Sequence, residues 1–227
     1  MKLLYTGKTK DVFDNGDGSY TLKLKDDATG KDGVFDPGEN QVGLSIEGLG
    51  RESLRLTKYY YELLSAQGVP THLLDCDIDA VTMRVRPATV FGQGLEFVCR
   101  RLATGSFIKR FGAYASHGQV LDNLVEVTLK DDDRLDPPIT KDALVALNLM
   151  TDAQFETCKA LTKKIANVLA DDLQRKGLEL YDMKFEFGQA DNGEIMLIDE
   201  ISGGCMRVYQ GDKIIEPMAL TKLILGE

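Results

Sequence analysis

Tryptophan is absent from the 227 residues, and histidine nearly so, with only His72 and His117. Two histidines far apart in sequence give little support to a histidine metal cluster or a serine-histidine nucleophile. The four cysteines, Cys76, Cys99, Cys158 and Cys205, are scattered with no Cys-x-x-Cys pair, which argues against zinc and dithiol redox chemistry and fits a reducing compartment. No run approaches the about 18 apolar residues of a membrane helix, and the opening Met-Lys-Leu-Leu-Tyr-Thr-Gly-Lys carries no long apolar segment of a secretory leader. The expectation is a soluble, cytoplasmic protein with no membrane partner. Positive charge is also scarce: 27 Lys and Arg are set against 36 Asp and Glu, a net charge of −9. That excludes a general nucleic-acid binder, which needs a basic face to displace counterions from phosphates. Any anionic ligand must be met locally, at Lys8 with Lys10, Arg100 with Arg101, Lys109 with Arg110, or Arg207.

What is present is a chain with 43% hydrophobic residues, long enough to bury a substantial core as one large domain or two small lobes. The first hundred residues read mostly as strand: Leu3 to Tyr5, Val12 to Phe13 and Tyr20 to Lys25, with Asn15-Gly16-Asp17-Gly18 as a hairpin turn. A small antiparallel sheet follows from this. A Gly-rich stretch from Thr29 to Gly50 leads to a helix predicted from about Ser53 to Gln67, ended by Gly68 and Pro70. Further strands are expected near His72 to Leu74, Val81 to Arg86 and Leu95 to Arg101. Beyond residue 100 the pattern mixes helix and strand. Short helices are expected from Gly105-Ser106 to Gly112 and after Thr140, and a long one from Thr151 to about Lys176 opens with a Thr151-x-x-Gln154 capping box. A composition shift around residues 86 to 95 suggests lobes of 1–88, mainly antiparallel β, and 89–227, mixed α and β.

The stretch from Asp182 to Glu200 is the richest in chemistry. Alternation places Asp182, Lys184 and Glu186 on one face of a strand and Met183, Phe185 and Phe187 on the other. Asp191-Asn192-Gly193 between two apolar runs signals a hairpin, which carries Asp199 and Glu200 back toward that charged face. One of the two then shares the face, and a slip of one residue exchanges them. Converging carboxylates beside one lysine suit magnesium and a polyphosphate. A solvated hairpin face with a cross-strand ion pair accounts for the same pattern.

Two other segments bear on anions. Gly7-Lys8-Thr9 is not a P-loop, because Lys2 stands where the motif needs glycine and a strand is predicted where it needs a helix. It leaves a glycine turn with Lys8 and Lys10 spaced for one side of a strand, able to cover phosphates or to guard a solvated edge. Arg100-Arg101-Leu-Ala-Thr-Gly-Ser106-Phe-Ile-Lys-Arg110 couples cations to a helix start, which suits a phosphate or carboxylate; Ser106 as a plain N-cap is the alternative. Lys130-Asp-Asp-Asp-Arg-Leu-Asp136 is an acidic loop.

These pieces, in order, resemble the phosphoribosylaminoimidazole-succinocarboxamide synthase (SAICAR synthetase) family. The matching residues are Tyr5-x-Gly-Lys-Thr-Lys-x-Val-Phe13, Lys25-Asp-Asp-Ala-Thr-Gly-Lys-Asp-Gly33, Gly68-Val-Pro-Thr-His72 and Arg100 with Ala103-Thr-Gly-Ser-Phe-Ile-Lys-Arg110. They continue through Leu129-Lys-Asp-Asp132, Asp136-Pro137, Tyr181 to Gly188, Ile198-Asp-Glu-Ile-Ser202 and Arg207. The resemblance implies a two-lobed α+β fold related to ATP-grasp enzymes, an antiparallel N-terminal sheet lobe and a mixed C-terminal lobe, with the nucleotide cleft between them. It implies a ligase that uses ATP and Mg2+ to join L-aspartate to carboxyaminoimidazole ribonucleotide (CAIR), with a homodimer as its candidate assembly. Carried over residue by residue, Lys8, Lys10 and Glu186 look like ATP contacts, Glu186 and Asp199 like magnesium ligands, and Lys184 and Asp32 like catalytic residues. Arg100, Ser106 and Arg207 match the positions that hold the ribonucleotide, with Lys130 and Asp136 as further substrate contacts. The departures lie on the ribonucleotide side. Gly203-Gly204 replaces the usual Pro-Asp, Arg101 stands where asparagine is common, and the Ala88 to Gly94 segment looks long. They motivate an alternative, a related ligase or kinase acting on another small anionic acceptor.

Overall fold

A computed structural model describes residues 1–39 and 41–227. In chain order, the first elements are β1 (Lys2–Thr6), β2 (Lys10–Asp14), β3 (Tyr20–Leu24), β4 (Asp27–Lys31), β5 (Val34–Phe35), β6 (Val42–Ser45) and α1 (Leu49–Ala66). Next come β7 (Leu73–Asp77), β8 (Thr82–Val85), β9 (Thr89–Val90), β10 (Leu95–Leu102), α2 (Gly105–Phe111) and β11 (Val120–Leu129). A 3-10 turn at Asp132–Arg134 precedes α3 (Lys141–Ala146), α4 (Asp152–Arg175), β12 (Glu179–Gln189), β13 (Ile195–Ile198), β14 (Met206–Gln210), β15 (Lys213–Ile214) and α5 (Pro217–Leu225). The architecture is α+β with antiparallel sheets.

The chain divides into two units, each assembled from separated stretches. The first comprises Met1–Thr89, Gly188–Gly204 and Glu216–Glu227; the second comprises Val90–Phe187 and Cys205–Ile215. The 88/89 step expected from the sequence lies one residue from the end of the first stretch, and two later segments, one entered at the end of β12 and one after β15, belong to the first unit.

In the first unit the sheet runs β1-β2-β3-β8-β7, and β4 pairs separately with β5 and β6. The Asn15–Gly18 turn joins β2 to β3, as the Asn-Gly signal predicts. α1 packs on β3, β4 and β7 and against α5. Leu54 of α1 is fully buried with Leu22, Leu24, Met83 and Val85, whose alternation along β3 and β8 puts them on one face. α1 begins four residues before the predicted start. The Asp26 carboxylate accepts from the backbone N–H groups of Gly48 (3.0 Å) and Gly50 (2.9 Å), which supplies the helix start with an acceptor from a distant loop. Within the Gly-rich stretch, which carries no clear periodicity, β4, β5 and β6 form ladders.

In the second unit the sheet order is β11-β10-β12-β14-β15. α4 packs on β10 and β11. Its start is the predicted capping box: Thr151 Oγ1 accepts from Gln154 N at 3.2 Å and Gln154 Oε1 accepts from Thr151 N at 2.8 Å. Phe97, fully buried on β10, meets Phe187 edge-on at 5.4 Å and Phe155 of α4 at 6.0 Å. Phe97→Ala removes the center of that cluster and is expected to cost about 3–5 kcal/mol of stability in urea unfolding; a change below about 1 kcal/mol would contradict the packing.

Candidate functional site

Two charged clusters hold most of the candidate residues, and each lies within one unit. In the first unit, the Gly7 N–H donates to the Lys10 carbonyl at 2.8 Å, closing a tight turn between β1 and β2. Lys8 sits in this turn, half-buried, whereas Lys10 opens β2. The two lysines thus do not share one side of a strand, because β1 stops at Thr6. Lys25 braces the turn, donating to the Gly7 carbonyl at 2.8 Å and pairing with Asp11 at 2.9 Å.

The Lys10 ammonium donates to both Asp199 and Glu200. β13 ends at Ile198, and Asp199 adopts φ 71°, a left-handed backbone rare for a residue with a side chain. Strand alternation therefore stops one residue too early to choose between the two carboxylates, and the backbone turn lets both reach one cation. The Asp199 carbonyl accepts from the Tyr61 hydroxyl at 2.5 Å, and His72 Nε2 lies 3.2 Å from the same oxygen. Burial, then the nearby Lys10 and Arg86 charges, push the His72 pKa down to about 3, so the ring is neutral at pH 7. Asp32 stands on the exposed turn between β4 and β5 with φ 53°, and among the described residues no hydrogen bond or ion pair joins it to Lys10, Asp199 or Glu200.

In the second unit, β12 lies between β10 and β14, with Arg100 opposite Asp182 and Glu96 opposite Glu186 on one side and Arg207 opposite Asp182 on the other. All three members of the Arg100, Asp182 and Arg207 group are buried. Arg100 Nη1 donates to Asp182 at 2.9 Å, Arg207 Nη1 donates to it at 3.0 Å, and Arg100 also pairs with Glu126. Ser106 is not the N-cap of α2, a position held by Thr104; its Oγ accepts from Arg100 Nη2 at 2.9 Å. Gly105, with φ 51°, lets the helix start lie against Arg207, since a Cβ there would come within 2.6 Å of the guanidinium carbon.

Farther along β12, Lys184 donates to Glu96 at 2.7 Å, and Lys130 donates to Glu186 at 2.7 Å. Burial disfavors the Lys184 charge, but the Glu96 and Glu186 carboxylates outweigh it and hold this ammonium above the usual lysine range. Lys130 is likewise raised, burial being overcome by Glu186. Asp136 accepts from the Asp131 N–H at 2.7 Å, so its carboxylate closes the acidic loop. Sequence reasoning missed Glu96, Glu126 and Tyr61, named His72 only within a motif, and kept Glu200 as one of two candidates for the charged face. Glu96 has a signal, a lone charge in the apolar run Leu95 to Cys99. Glu126 lies on β11, a strand the sequence reading does not place.

A SAICAR synthetase family profile matches residues 3–220. The chain belongs to the SAICAR synthetase family. It is thereby a ligase of purine biosynthesis. A phosphoribosylaminoimidazole-succinocarboxamide synthase of Clostridium tetani is 56% identical over 226 residues, covering 99% of this chain and 100% of that relative. One from Finegoldia magna is 34% identical, covering 93% of this chain and 87% of its own length. Among solved structures, a SAICAR synthetase in complex with ADP superposes with a TM-score of 0.86 at 26% identity, over 98% of this chain and 97% of that one.

Two outcomes test the geometry. Asp182→Asn leaves two buried guanidinium groups without their shared charge and is expected to cost about 3–5 kcal/mol in urea unfolding. His72 carries the acid sensitivity of its cluster. Its folded pKa of about 3 lies below the ordinary 6.5, so the associated stability is present above pH 6.5 and is lost as pH falls toward 3. At pH 5.5 the loss relative to pH 8 should be about 1.4 kcal/mol, and His72→Gln should remove it. Equal pH 5.5 losses in the two proteins would contradict this assignment.

Proposed function

We propose that this ligase joins the amine of L-aspartate to the carboxylate of CAIR, giving SAICAR, ADP and phosphate, and that it works in the cytoplasm on an ATP-grasp-related fold. The observation that carries the reading is the Lys10 ammonium held by Asp199 and Glu200. It places a cation between two hard oxygen donors beside the glycine turn that bears Lys8. The donor set fits magnesium, which takes carboxylate and phosphate oxygens. Asp199 would hold the ion, and Glu186 is the other carboxylate that the family resemblance implies. When bound, magnesium supplies charge neutralisation at the phosphoryl group being transferred.

A carboxylate is a poor electrophile, so an oxygen of the CAIR carboxylate attacks the γ-phosphorus of ATP while the bond to ADP breaks. The aspartate amine then attacks the acyl carbon, phosphate leaves, and the amine proton passes to solvent. These steps demand placement and charge stabilisation, not a protein nucleophile. Lys8 and Lys10 hold the ATP phosphates. Lys184, kept cationic by Glu96 and Glu186, steadies developing negative charge. Arg100, Arg207 and Ser106 are already gathered at the start of α2, and they hold the anionic ribonucleotide. Lys130 and Asp136 flank the acidic loop as further substrate contacts, and Asp32, on the β4–β5 turn, is the acidic residue that the family resemblance implies in catalysis.

Incubation with ATP, magnesium, CAIR and L-aspartate should yield SAICAR and ADP in equal amounts. ATP turnover with another acceptor but none with CAIR would overturn the assignment. Glu186→Ala and Asp199→Ala should each lower turnover by orders of magnitude with the fold intact, and wild-type rates in either would remove its metal role.

A further inference from the structure

The Gly68 to His72 segment and the buried face of α1 carry polar groups that the reaction itself does not call on. They converge on one atom. Tyr61 of α1 and His72 both approach the Asp199 carbonyl oxygen, at 2.5 Å and 3.2 Å. Both side chains are buried, and their rings meet edge to face at 6.0 Å. The backbone on either side is tied by the same two segments. Leu197 N donates to Pro70 O at 2.9 Å, His72 N donates to Leu197 O at 3.0 Å, and Thr57 Oγ1 lies 3.1 Å from the Ile201 carbonyl oxygen.

These ties enclose a residue whose backbone is unfavorable by itself. Asp199 has φ 71°, a left-handed backbone that a residue with a Cβ adopts at a cost, smallest for Asn and Asp, which surrounding hydrogen bonds can offset. That same turn directs Asp199 and Glu200 together toward Lys10. In an extended continuation of β13, consecutive side chains would point to opposite faces. Two donors on a single carbonyl fix the peptide plane after Asp199, and with it the direction of both side chains. His72 stays neutral at pH 7, so its ring offers a dipole without placing another buried charge beside Lys10.

We infer that Tyr61 and His72 are positioning residues, a two-donor clamp on the Asp199 carbonyl that holds the left-handed turn and so presents the Asp199 and Glu200 carboxylates as a pair to a cation. The clamp itself is a property of the free protein. Its consequence for nucleotide binding rests on the reading of Asp199 as a magnesium ligand.

The test uses the full chain with Tyr61→Phe, His72→Leu and His72→Gln, the last keeping a donor near the Nε2 position. Hydrogen exchange of the peptide spanning 195–204 is measured without ligand, and ADP affinity is measured by calorimetry with and without magnesium. Tyr61→Phe and His72→Leu should speed exchange in this segment at least about tenfold while leaving the α4 core protected. His72→Gln should stay within about threefold of the natural protein. Magnesium should tighten ADP binding to the natural protein, and Tyr61→Phe should lose most of that gain while ADP alone binds with unchanged affinity. Unchanged exchange in both Tyr61→Phe and His72→Leu overturns the clamp. If the natural protein shows no gain from magnesium, the metal reading of Asp199 falls, and the exchange data still decide the clamp.

Discussion

Charge that must leave water is the constraint on which this structure turns. β12 presents Asp182, Lys184 and Glu186 on one face while sitting between β10 and β14, and a buried unpaired ion costs several kcal/mol. Each charge therefore requires a counter-charge from a neighboring element. Arg100 from β10 and Arg207 from β14 meet Asp182, Glu96 from β10 meets Lys184, and Lys130 after β11 meets Glu186. The need is strongest at Asp182, which is 3% exposed, and weakest at Lys130, whose side chain is half in water. This gradient separates the pairs. The Asp182 group specifies strand register, because a one-residue slip would strand two guanidinium groups in the core. The outer lysines have less to lose, and exchanging a carboxylate for a phosphate oxygen leaves them charged and paired.

The same reasoning explains how an acidic protein can take anionic substrates. A net charge of −9 repels a polyphosphate at long range, but screening confines that repulsion to about 8–10 Å at physiological salt. Inside that range the local pairing matters more. Burial tends to discharge a lysine, yet the carboxylates beside Lys184 and Lys130 hold both above the ordinary lysine range. The acidic residues near these cations thus keep them charged and preorganised, and the excess of Asp and Glu is compatible with anion binding.

Local signals in the sequence were the legible ones. The Asn15–Gly18 turn, the Thr151–Gln154 capping box and the Asp191–Gly193 turn each specify a backbone geometry within a few residues, and each forms as expected. Elements held by distant partners were not legible. β4 to β6 lie in a Gly-rich stretch with no periodicity, and the start of α1 depends on Asp26, more than twenty residues away in sequence. β11 alternates weakly because it is an edge strand with exposed Val120 and Leu124. At the site, Arg100, Arg207 and Ser106 could be named from the motif order, but the meeting of the two arginines at Asp182 could not. Ser106 resembles a cap in one dimension, whereas in three Arg100 claims its hydroxyl. Alternation left Asp199 and Glu200 open for a sharper reason: period-two reasoning holds only inside a strand, and β13 ends at Ile198.

The Gly203-Gly204 departure can be weighed on the same physical footing. A Cβ on residue 203 would lie 2.7 Å from Pro217 Cα and 2.8 Å from its Cβ, too close for any side chain without moving the start of α5. Pro217 is buried, and α5 packs against α1, so that start cannot yield easily. A proline at 203 is therefore excluded by packing inside the first unit, independently of any ligand. Residue 204 differs, because a Cβ there would meet only Ser202 Oγ at 3.3 Å. The two substitutions thus have separate origins: the first follows from how the C-terminal helix is seated, and only the second leaves room for a side chain to have been lost. An altered acceptor cannot be argued from residue 203, and the case for it reduces to a single missing carboxylate at 204.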